Sequence, residues 1–121
     1  MKDRTTKQLH ALIHKYVIKW KSELFLGMWT ISFNLRDWLS NDYGNALQTA
    51  ARCTPRWKYF EAELEFNYLV LKDKKDEDIE RIVLHELLHI VVNEMREEGI
   101  DHEERVVSHL TMLVARLGDV K

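Results

Sequence analysis

Between Glu77 and Glu97 the apolar residues Ile79, Ile82, Val83, Leu87, Ile90 and Val91 recur at steps of three and four, and through them runs His85-Glu86-Leu87-Leu88-His89. That spacing predicts an amphipathic helix. Asp76 is placed to cap it, Glu77 and Asp78 suit the positive end of the helix dipole, and Gly99 suits the left-handed residue that closes a helix. The motif then falls mid-helix, held by packing on both sides. A helix turns by about 100° per residue, so two histidines four apart stand on adjacent turns and can offer two imidazole nitrogens to one ion. Zinc is the ion this pattern points to. Glu86 falls beside such an ion rather than on it, where its carboxylate can take a proton from a polarised water and pass it on. The competing structural reading has both rings satisfied by neighbouring carbonyls and Glu86 solvated.

A length of 121 residues, 45% apolar and 31% charged, predicts a single domain over 1–121 with one hydrophobic core. No run of 18 apolar residues occurs, which disfavours a membrane span. Met1 to Thr6 leads into a charged segment rather than a short apolar one, and we expect a cytoplasmic protein. With Cys53 as the sole cysteine, neither an internal disulfide nor a thiolate-rich zinc site can form, so any metal must be held by histidine and carboxylate. Cys53 itself reads as a small buried hydrophobe. A net charge of −2 disfavours a general nucleic-acid footprint. Charge is nevertheless uneven: residues 1–21 carry six Lys/Arg against one Asp, whereas 73–104 carry twelve acids against four Lys/Arg.

Ahead of the motif, Leu9, Leu12, Ile13, Tyr16, Val17, Trp20 and Leu24 predict a first helix from about Thr5 to Glu23, with Lys7, His14, Lys15, Lys19 and Lys21 outward. Met28 to Leu35 alternates as a strand, with Trp29, Ile31, Phe33 and Leu35 on its buried side. After the turn cluster Asn41 to Asn45, a weaker strand runs from Ala46 to Thr54, closed by Pro55. Tyr59 to Phe66 alternates most clearly, with Phe60, Ala62, Leu64 and Phe66 inward and Glu61, Glu63 and Glu65 outward. Tyr68 to Leu71 reads as either a short strand or a buried loop. The fold class is α+β: an N-terminal helix, a small, mostly antiparallel sheet of about three strands, the motif helix and a C-terminal helix.

Two imidazoles leave a catalytic-type zinc site one protein ligand short. Asp101-His102-Glu103-Glu104 opens the last helix in capping-box form, with Asp101 as cap and Glu104 folding back on it. Val106, Val107, Leu110, Leu113, Val114 and Leu117 define that helix's apolar stripe, up to Gly118. Glu103 stands three, four and seven residues before Val106, Val107 and Leu110, and so points inward, where a carboxylate calls for a cation. Glu103 is the expected third ligand, with Glu104 and His102 as alternatives.

These residues resemble the zincin metallopeptidases, and within them the gluzincin layout, in which a helix bearing this motif is followed by one donating a glutamate. The likeness covers nearly the whole chain and is nearest to small one-domain metallopeptidases of phages and prophages. It implies a zincin-like fold, His85 and His89 as zinc ligands, Glu86 as catalytic acid/base, Glu103 as third ligand, and Tyr59 to Phe66 as the edge strand that pairs with extended substrate. The pattern departs where Val107 replaces an acidic residue four positions after the ligand, with Ser108 nearby but not equivalent. Val92 and Met95 stand where the metzincin group has its glycine and third histidine. His102, His109 and Tyr68 are candidates for stabilising a tetrahedral intermediate. The function implied is zinc-dependent hydrolysis of a peptide or protein substrate. A catalytically silent zinc-binding or regulatory interaction module of the same fold is the alternative.

Overall fold

The computed structural model describes residues 3–37, 49–92 and 103–117. Its elements are α1 (Thr6–Glu23), β1 (Thr30–Arg36), β2 (Ala51–Arg56), a 3-10 turn at Trp57–Tyr59, β3 (Glu61–Asn67), α2 (Tyr68–Leu71), α3 (Asp76–Val91) and α4 (Glu103–Leu117). The α+β class is as expected. The turn cluster Asn41 to Asn45, and the segment holding Gly99, Asp101 and His102, lie outside the described residues.

α1 starts where a capping box starts it. The Gln8 amide donates to Thr5 Oγ1 at 3.1 Å, and Gln8 Oε1 accepts from the Thr5 amide at 2.9 Å, so two otherwise orphan donors are satisfied. α3 differs from its expected start. Lys75 is the cap residue and makes no side-chain cap bond; Asp76, inside the first turn, pairs instead with Arg4. Tyr68 belongs to neither a strand nor a loop but to the short helix α2, capped by Asn67. Its hydroxyl donates to the Arg4 carbonyl at 2.6 Å. Tyr68 is thus part of a clasp on the N-terminal segment and not a stabiliser of an oxyanion.

The sheet has the order β1-β3-β2. β3 pairs in parallel with β1 (Phe33 opposite Leu64) and antiparallel with β2 (Cys53 opposite Leu64), so the sheet is mixed rather than mostly antiparallel. Alternation reveals which face a residue takes, but it carries no information about which strand lies alongside or in which direction. The strand read as an edge is therefore central. β1 and β2 are the outer strands, and Pro55 lies within β2 because an outer strand has one side with no ladder to break.

On the sheet's polar face Glu65 is buried, 5% exposed, between Arg52 (2.7 Å) and Arg36. The Arg52 hydrogen bond, working against burial and aided by the charges of Arg52 and Arg36, holds its carboxyl below the usual range. Of the three glutamates expected outward, only Glu61 and Glu63 are solvated.

The other face meets the helices. Leu9, Ile13 and Trp20 of α1, Leu64 and Phe66 of β3, Leu84 and Leu87 of α3, and Val107 of α4 form the packed interior. Glu80 of α3 ties the first helix down, accepting from Trp20 Nε1 at 2.8 Å and Lys19 Nζ at 2.6 Å. Among the described residues no helix is long and apolar enough to cross a membrane.

Candidate metal centre

α3 carries the motif in its second half rather than mid-helix. The helix stops at Val91, where the Val92 amide donates back to the Leu88 carbonyl at 3.1 Å; the expected continuation to Glu97 lies outside the described residues. His89 consequently occupies the last turn. Carbonyl groups without helical partners collect there, and their partial negative charge favours a cation.

The two imidazoles lie edge to face with centroids 5.0 Å apart. His89 is buried, and His85 is 22% exposed at its side chain. One carboxylate bridges them: Glu104 Oε1 lies 2.7 Å from His85 Nε2, and Glu104 Oε2 lies 3.0 Å from His89 Nε2. Those contacts, the one to His85 first, hold the Glu104 carboxyl well below the usual carboxylate range against the opposing effect of partial burial. His85, His89 and Glu104 each offer a donor atom within 4.8 Å of the others. Imidazole and carboxylate donors gathered so closely suit a small divalent ion.

Two further contacts surround His85. The Thr111 hydroxyl donates to the Val107 carbonyl at 2.7 Å, and its oxygen lies 3.5 Å from His85 Nδ1. At 2.7 Å, His85 Nε2 and Glu104 Oε1 suit either a proton donated by the ring or a metal ion held between them.

Glu86 is 6% exposed and lines a cavity of about 400 Å³ together with His85, Glu104, Thr111, Arg81 and the chain entering β2 at Thr49, Ala50 and Ala51. The residue expected to act as acid/base therefore shares this space with two of the three donors, His85 and Glu104. That space is walled by β2 and not by β3, the strand expected to meet substrate.

Among the described residues the third donor is Glu104, one of the alternatives to the expected Glu103. Both belong to α4, but the side chain of Glu103 lies outside the described residues. Val107, Thr111 and Ala115 are the buried residues of α4, while Met112, Leu113 and Leu117 are exposed. The burial stripe is therefore rotated from the apolar stripe, and Glu104, three residues before Val107 and seven before Thr111, stands on it. The signal missed in the sequence was size: Thr111 and Ala115 are small, and small side chains let a helix approach its neighbour closely. Among the other candidates, His109 is exposed on α4 and does not line this cavity, and His102 lies outside the described residues. Cys53 packs, half-buried, against the core.

A family model described as the SprT-like family matches residues 13–113. No curated protein and no solved structure matches the chain.

Proposed function

The chain belongs to the SprT-like family, whose members are zincin-like metallopeptidase-type domains of the zinc-binding kind, and on that premise we propose that it is a zinc-dependent peptide hydrolase. His85, His89 and Glu104 hold the ion, in the gluzincin order of a motif helix followed by a glutamate helix. The observation that carries this reading is the gathering of those three donors within 4.8 Å of one another, two of them, His85 and Glu104, on the wall of the cavity that Glu86 also lines.

Bound there, zinc supplies Lewis acidity toward a carbonyl oxygen and lowers the pKa of a water to about 7. Glu86 takes the proton of the attacking water and passes it to the departing amine. Thr111 fixes the His85 ring from behind. An extended peptide lies along the outer side of β2, whose first residues wall the cavity, and adds main-chain hydrogen bonds there.

Replacing Glu86 by Gln tests the reading. The variant should retain one zinc per chain by atomic spectroscopy and lose about a hundredfold or more of its hydrolysis of an unfolded protein. Undiminished hydrolysis would remove Glu86 from the mechanism. Zinc retained by the wild type with no cleavage of any peptide would leave the silent binding module.

A further inference from the structure

Beside the cavity lined by His85, Glu86 and Glu104 lies a second one, of about 540 Å³, and the two share Arg81 and Thr111 as walls. Every ionisable residue lining this second cavity is basic: Arg81 from α3, and His109 and Arg116 from α4. Its floor is apolar, formed by Met112, Leu113 and Ala115. Arg81 and Arg116 form no ion pair among the described residues, although the chain as a whole carries a net charge of −2. By contrast, Arg4, Arg36, Arg52 and Arg56 all face carboxylates.

We propose that this cavity is a carboxylate-binding subsite, in which Arg81 and Arg116 grip an anionic group of the peptide being cleaved. The inference rests on the hydrolase reading and deepens it. A guanidinium presents a planar fork of donors that matches a carboxylate in two-point geometry, and it stays charged at every working pH. Position favours substrate as the source of the anion. Arg81 stands four residues before His85, hence one helical turn, about 6 Å, from a metal ligand. An extended peptide advances about 3.3 Å per residue, so the gripped carboxylate belongs to a residue within about three positions of the scissile bond. The apolar floor accommodates the methylenes of a glutamate or the last side chain of a peptide. A carboxylate can come from an acidic side chain or from a free C-terminus, and the two sources are separable by experiment.

Matched fluorogenic peptides would carry Glu or Gln at each of three positions on either side of the cleaved bond, and each would be made with a free or an amidated C-terminus. Zinc-loaded wild-type protein should prefer Glu by about tenfold in kcat/KM at one position, or the free acid by a similar factor if the C-terminus is the ligand. The ratio of kcat/KM for Glu over Gln, taken within each variant, should fall to about one or below in Arg81→Glu and be weakened in Arg116→Ala. Dissociation constants of the same peptides for the zinc-loaded Glu86→Gln variant give a readout free of turnover. They should show the same preference and lose it at high salt. Equal kcat/KM and equal affinity for Glu and Gln at all positions, and for acid and amide, would overturn the subsite. Selective binding with no hydrolysis by the wild type would instead overturn the hydrolase reading and leave the subsite standing.

Discussion

The two flanks of α3 each bring a buried carboxylate against a neighbouring element, and they do it to opposite ends. On the flank toward α1, Glu80 accepts from Trp20 Nε1 and Lys19 Nζ, two donors for one oxygen. Toward α4, Glu86 lines a cavity, and the carboxylate that reaches across, Glu104, meets the two imidazoles of the motif. The first arrangement is electrically closed. The second gathers three donors of the metal-binding type within 4.8 Å of one another beside a cavity. Within one helix, the kind of partner separates a residue that holds the fold from residues placed for chemistry.

Breaking each flank in turn should show the separation. The largest effect is expected at Glu104→Ala. Zinc affinity should fall by more than about a hundredfold, exceeding the usual loss for an outer partner, while the melting temperature of the metal-free protein barely moves because that side chain is 71% exposed. Titration with zinc, followed by calorimetry, measures it. The reciprocal change, Glu80→Ala, should cost about 2–3 kcal/mol in denaturant unfolding by orphaning the Trp20 and Lys19 donors, with zinc stoichiometry kept at one. Loss of metal in that variant would show that the two flanks are not independent.

A smaller effect is expected at Thr111→Val, which removes the hydroxyl behind His85 with little change in shape. Zinc affinity should drop by about tenfold. No change would mean that His85 is held by packing alone. The smallest effect concerns the other closed carboxylate, Glu65, set between Arg52 and Arg36. Its folded pKa lies below the ordinary carboxylate value, so its contribution is full above that ordinary value and is lost as the pH falls through the depressed one. Glu65→Gln should therefore be less stable than wild type by about 1 kcal/mol at neutral pH, and the gap in unfolding free energy should close in acid. A gap independent of pH would assign the loss to packing.

Helices were legible in advance because a period near 3.6 shows itself over many residues. The start of α1 near Thr5, the core positions Leu9, Ile13 and Trp20, and the phase of α3 all follow from it. Strand neighbours were not legible. A period of two assigns Leu64 and Phe66 to a buried face, but β1 and β2 reach β3 through connections whose course the pattern does not encode, and the edge position that the zincin resemblance implies for Tyr59 to Phe66 falls instead to β1 and β2. Glu65 illustrates the same limit, since its burial depends on two arginines that arrive from different strands.

By itself the sequence determined the motif, the helix that carries it and the kind of ion that it suits, because these are matters of local spacing and of donor type. Tertiary structure brought the Glu104 carboxylate to the imidazole pair and the chain entering β2 to the cavity wall. Both depend on where helices touch, and Thr111 and Ala115, small rather than strongly apolar, mark that contact on α4. Close approach is a property of two surfaces together, and the periodicity of one chain segment holds no record of the other.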